Sequence, residues 1–145
     1  MNKIISLSLI AVSALTFSAC VSSSSPSFQT AQTLDEKKVC DVNLNGIDKV
    51  IKTAKAYNEI AIKREVEFRR LGVNNSGLIA AVEEGIKLDA KEVNPKDFKG
   101  KESKTVLPID FAAERACKFA ISALVQEKEA KTTWRLAVPG DGYKY

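Results

Sequence analysis

Three cysteines, Cys20, Cys40 and Cys117, are the side chains of this 145-residue chain best suited to covalent chemistry. Cys20 follows Phe17-Ser18-Ala19 at the end of an apolar segment, whereas Cys40 and Cys117 stand far apart. No Cys-x-x-Cys spacing is present, so nothing marks a redox pair. The chain contains no histidine, which removes the commonest general base and metal ligand at neutral pH. Acid–base work would then fall to carboxylates, lysine or serine. Adjacent Glu83 and Glu84 project about 100° apart on a helix and do not converge on one point. This reading assigns no catalytic residue, no metal and no cofactor, and expects a chain that is not an enzyme.

One run has the look of a cation site. Asp41-Val42-Asn43-Leu44-Asn45-Gly46 resembles the first half of a calcium loop of the EF-hand or dockerin kind, with oxygen ligands at alternate positions and glycine at the sixth. Lys52 falls at the twelfth position, where a bidentate acid is needed, and Asp48 at the eighth, where an apolar residue is usual. A single carboxylate among the side-chain ligands binds calcium poorly. The run reads better as a turn entering a helix, with Asn45 as its N-cap and Asp48 three residues on.

The elements that position the cysteines begin with residues 1–19. Lys3 precedes an apolar stretch over residues 4–17, the layout of an export signal. At helical rise that stretch covers roughly 20 Å against a hydrocarbon core of roughly 30 Å, so cleavage is a better expectation than a permanent span. An ordinary cleavage site after Ala19 would put bulky Phe17 where a small residue is wanted. The sequence Phe17-Ser18-Ala19-Cys20 instead resembles the lipobox of bacterial lipoproteins, with Phe17 where the family usually has Leu. The resemblance implies that Cys20 becomes the first residue of the mature chain and carries two or three acyl chains, enough for stable attachment to a membrane. Val21 is not the Asp that retains such proteins at the inner membrane, which implies the outer membrane, with the domain in the periplasm or at the cell surface. Ordinary secretion is the alternative. If Cys20 carries lipid, Cys40 and Cys117 remain as an even pair in an oxidising compartment, and a disulfide between them is expected. Two buried free thiols are the other possibility.

Residues 20–39 turn to Ser, Thr, Gln and Pro, with serine at positions 22–25, and read as a flexible tether with a reach on the order of 25 Å. Residues 40–145 suit one small, mainly α domain of three to four helices with a short C-terminal strand. A first helix is expected over residues 47–71, from the helical spacing of Ile47, Val50, Ile51, Ala54, Tyr57, Ala61 and Phe68, with Gly72 as its stop. On that helix Asn58, Glu65 and Arg69 lie near the apolar side. A second helix runs from about residue 75 to Val93, weakened by Gly85 and ended by Asn94-Pro95. Residues 96–104 form a lysine-rich loop. A third helix spans about residues 108–130, its Ala113, Ala116, Cys117, Ala120, Ile121 and Leu124 opposing Arg115, Lys118, Ser122 and Gln126.

In the tail, Trp134, Leu136 and Val138 alternate with Thr133, Arg135 and Ala137 as in a strand, and turns follow at residues 139–142. Trp134, Tyr143 and Tyr145 are the candidate partner-binding residues, with packing of Trp134 onto the helices as the plainer alternative. Removing residues 1–19 takes only Lys3, leaving 21 cations against 18 acids, a mildly basic mixed surface. Five lysines between Lys91 and Lys104 make the most basic stretch, and no aromatic platform accompanies them for nucleic acid. The plan of lipid anchor, polar tether, small helical domain and one disulfide resembles the helical pilotins of secretion systems in architecture alone. It implies an adaptor that holds an envelope protein at the membrane. A binding module for an anionic envelope glycan or small ligand is the second expectation.

Overall fold

The structure, a computed structural model, describes residues 25–70 and 72–133. Three single-turn helices, α1 (Phe28–Ala31), α2 (Glu36–Val39) and α3 (Val42–Asn45), lead into the long helix α4 (Ile47–Lys63). A two-stranded hairpin, β1 (Arg69–Arg70) with β2 (Val73–Asn74), precedes α5 (Asn75–Lys87). A second antiparallel pair, β3 (Glu92–Val93) with β4 (Leu107–Pro108), brackets the lysine-rich loop, and α6 (Ile109–Thr133) completes the order. The domain is mainly α and is closed by the Cys40–Cys117 disulfide.

Helix α6 carries the core. Its Ala112, Ala113, Ala116, Ala120 and Ala123 are buried beside Ile121 and Leu124, and small side chains let neighbouring backbones approach closely. Against this face pack Val50, Ile51, Ala54, Tyr57 and Ala61 of α4 and Leu78, Ile79 and Val82 of α5. The apolar stripe expected for the third helix is the stripe that is buried. Cys40 and Cys117 have no exposed surface, with Cα atoms 5.6 Å apart across 77 positions. Such a loop closure is worth on the order of 4 kcal/mol in the chain-entropy model.

Helices α4 and α5 end earlier than their sequences suggest, for one shared reason. After α4, Glu65 takes φ 61°, its N–H donates to the Ile62 carbonyl, and the Val66 N–H donates to the Ala61 carbonyl. After α5, Asp89 takes φ 50°, with Asp89 N–H to Ile86 and Ala90 N–H to Gly85. Both are Schellman stops, built on acidic residues where glycine is the usual occupant. Residues 64–70, expected as helix, are therefore turn and strand, Leu71 of the same expectation lies outside the described residues, and Glu65 and Arg69 lie off the helix. Val93 belongs to β3. Asn45 also differs from its expected role. It ends α3, its Nδ2 donating to the Lys38 and Asp41 carbonyls, while Asp41 caps α3 by accepting from Leu44 N–H. Gly46 at φ 77° holds the N-cap position of α4.

The flexible tether expected over residues 20–39 is corrected from Ser27 onward. Ser27 and Thr30 cap each other reciprocally around α1, and Thr30 Oγ1 shares a 3.0 Å hydrogen bond with the Tyr57 hydroxyl. Gln32 Nε2 donates to the Leu124 carbonyl at 3.0 Å, and Ser122 Oγ donates to Glu36 at 2.9 Å. The Arg64 guanidinium lies 4.0 Å from the Phe28 ring centroid. Polar composition concealed this strap because few apolar side chains are involved: Ala31 is buried and Phe28, Leu34 and Val39 pack against the core's edge. The lipidation and tether positions 20–24 and the tail 134–145 lie outside the described residues, and Thr132 and Thr133, expected to open the tail, are helical.

Two expectations follow. Arg64 also forks onto Glu127, Nη2 to Oε1 at 2.7 Å, and Lys131 bonds the same carboxylate. Arg64's hydrogen bonds chiefly, with those of Lys131, outweigh burial and hold the Glu127 carboxyl down to about 2 from 4.5. A carboxyl depressed on folding stabilises above its unfolded value and loses that contribution as pH falls through the folded one. Thermal melts of parent and Glu127→Gln should thus differ most above pH 4.5 and converge as pH falls toward 2. At Gly85 an added Cβ would stand 2.6 Å from Val93 Cγ1 and 2.9 Å from Ile109 Cδ1. Gly85→Ala should therefore lower stability by about 1–2 kcal/mol in urea unfolding, although helix propensity alone favours Ala by about 1 kcal/mol.

Candidate functional site

Where β2 enters α5, the chain places a buried amide. Asn75 is 2 % exposed, and its Nδ2 donates to Asn58 Oδ1 and to the Ala116 carbonyl, both at 3.0 Å. Asn58 Nδ2 in turn donates to Glu67 Oε1 at 3.2 Å, and the same oxygen accepts from Ser76 N–H at 2.8 Å. Glu67 therefore caps the first turn of α5 from outside the helix, where a negative charge meets unpaired N–H groups. Burial pushes its carboxyl up. Hydrogen bonds from Ser76 and Asn58 and the charge of Arg69 outweigh that, so the group sits below the ordinary carboxylate range. The network ties α4, α5 and α6 together beneath one surface.

Above it lies a cavity of about 210 Å³ between the β1–β2 hairpin, α5, the loop before β4 and α6. Phe68, Val73, Leu78, Leu107 and Phe119 give it apolar walls, and Pro95, Ser103 and Thr105 come from the loop. The Phe68 and Phe119 rings are stacked, centroids 3.9 Å apart. Two guanidiniums complete the lining. Exposed Arg70 stands on the hairpin, and half-buried Arg115 lies with its Cζ 5.1 Å from the Phe119 centroid. Among the described residues neither arginine forms an ion pair. Asn75 also lines the cavity, and its Oδ1 is buried without a hydrogen-bond partner among the described residues. Apolar walls, unpaired guanidiniums and two loop hydroxyls can hold an apolar group that carries a negative charge.

The sequence-derived candidates fall elsewhere. Cys40 and Cys117 are joined in the buried core, and Cys20, Trp134, Tyr143 and Tyr145 lie outside the described residues. Asn58, noted beside Glu65 and Arg69, does join a polar network, but its partners are Glu67 and Asn75. The sequence places Arg115 on the polar stripe of the third helix and Phe68 on the apolar face of the first. The overlooked signal is Phe119, an aromatic inside the polar side of the third helix next to Arg115. Among the described residues no group of three or more His, Cys, Asp or Glu gathers as a metal site, and no helix is long and apolar enough to cross a membrane. Compared with protein-family models, curated proteins and solved structures, the chain matches none.

Replacing Asn75 by Ala strips the donor from buried Asn58 Oδ1. The variant should lose about 2–3 kcal/mol in urea unfolding, the scale of an unsatisfied buried polar group plus a small void.

Proposed function

We propose that this protein is a lipid-anchored lipoprotein of the bacterial outer membrane whose helical domain acts as a non-enzymatic adaptor for another envelope protein. The anchor rests on Phe17-Ser18-Ala19-Cys20 behind an export-type segment. The adaptor reading rests on one observation, the cavity in which stacked Phe68 and Phe119 stand beside unpaired Arg70 and Arg115. Aromatic and arginine side chains are those enriched at the energetic centres of protein interfaces, where a partner's side chain enters a pocket. At about 210 Å³ the cavity suits one or two side chains of a partner segment rather than a cofactor. The tail residues Trp134, Tyr143 and Tyr145 remain a second proposed contact. The two unpaired guanidiniums also favour a second reading, in which the occupant is an anionic envelope glycan or small ligand.

A photo-crosslinking residue in place of Thr105, at the cavity rim, tests the adaptor in intact cells. The expected result is one dominant envelope protein in the crosslinked product, with the yield falling about tenfold or more on Arg115→Ala, the loss typical of an interface hot spot. The same probe at Tyr145 reports whether the tail shares the contact. An absence of any enriched protein, with the chain sedimenting instead with purified peptidoglycan or lipopolysaccharide, overturns the adaptor in favour of the second reading. Cys20→Ser should release the chain from the membrane fraction and abolish palmitate labelling.

A further inference from the structure

The loop between β3 and β4 has two sides. Pro95, Ser103 and Thr105 line the cavity, whereas Lys96, Lys99, Lys101 and Lys104 are exposed. The loop is fixed against the β1–β2 hairpin: Phe98 N–H donates to the Gly72 carbonyl at 3.1 Å, and Lys96 and Glu102 form a bridge across the loop. That contact brings exposed Arg69 near the four lysines, while Arg70, its neighbour on the strand, lines the cavity. The opposing acids are fewer and partly committed. Asp97 Oδ1 accepts from the N–H groups of Lys99 and Lys101, and Glu67 caps α5, which leaves Glu102 exposed. None of these five cations is in an ion pair among the described residues. In their midst Phe98 is 69 % exposed, with the Lys99 ammonium 5.8 Å from its ring centroid.

We infer that this face, the loop around Phe98 with Arg69 of the hairpin beside it, rests on the phosphate headgroups of an anionic lipid surface, with the Phe98 ring entering the interface. Four unpaired lysines of one exposed loop, with Arg69 on the hairpin bonded to it, complement a sheet of phosphates, each basic residue adding to the attraction within a Debye length. A lone aromatic among lysines supplies the apolar contact that such surfaces bind with. The strap brings the membrane within reach. Because the chain is packed from Ser27, six residues separate it from Cys20, a span of at most about 25 Å when extended. The inference goes beyond the adaptor reading and uses the proposed anchor only to say which membrane is near.

The test uses the whole mature chain with Cys20→Ser, so that binding cannot come from an acyl group and its outcome is independent of whether Cys20 is lipidated. The chain is co-sedimented with vesicles of phosphatidylcholine alone or with about one-third phosphatidylglycerol, and circular dichroism checks the fold of every variant. The expected result is binding to the anionic vesicles only, weakened by salt, and lowered about tenfold or more by Lys99→Glu with Lys101→Glu, given the contribution of each basic residue. Phe98→Ala should lower it several-fold. No binding to anionic vesicles, equal binding to neutral ones, or indifference to the lysine reversals overturns the inference. Parent-like binding by Phe98→Ala overturns the insertion of the ring.

Discussion

The alanine face of α6 is the constraint on which the rest of the structure depends. Five buried alanines leave room for other backbones rather than for other side chains, and α1, α2, α3, α4, α5, β3 and β4 all touch this one helix. A larger residue on that face would displace a neighbouring element as a body, because close-packed interiors have no slack to absorb it. Cys117 sits within the same face, so the disulfide fixes the turn between α2 and α3 to the core at the point where packing is already tight.

From that face the polar features follow in order. Once α4, α5 and α6 close on one another, the start of α5 is buried, and a buried helix start needs acceptors for its N–H groups and partners for its own side chains. Glu67 and Asn58 meet that need, which holds the segment after α4 in place and lays Phe68 on Phe119. The cavity is the space left between this stack and the loop that crosses from β3 to β4. Gly77 permits the crossing, since a Cβ there would stand 3.1 Å from the Lys96 carbonyl. The inner side of the loop is given to the cavity and its outer side to the lysines, so a single short segment supports both the proposed partner contact and the inferred lipid contact.

The sequence by itself determined the mainly α class and the apolar stripes of α4, α5 and α6, because these rest on period, which local composition carries; it left Cys40 and Cys117 either paired or free, and the structure pairs them. The sequence did not reveal where α4 and α5 stop. Glu65 and Asp89 adopt left-handed backbone without being glycine, a conformation selected by the packing of the segments that follow rather than by their own preference. Nor did it reveal the strap over residues 27–39, whose hold on α4 and α6 is made of hydrogen bonds between residues 27 to 92 positions apart. The candidate site was legible only in pieces, as Asn58 near the apolar side of the first helix, Arg115 on a polar stripe and a lysine-rich loop. Tertiary structure alone brought Phe68 to Phe119 and set Arg70 and Arg115 beside them, outside any ion pair among the described residues, since contacts between distant segments have no period for a sequence to display.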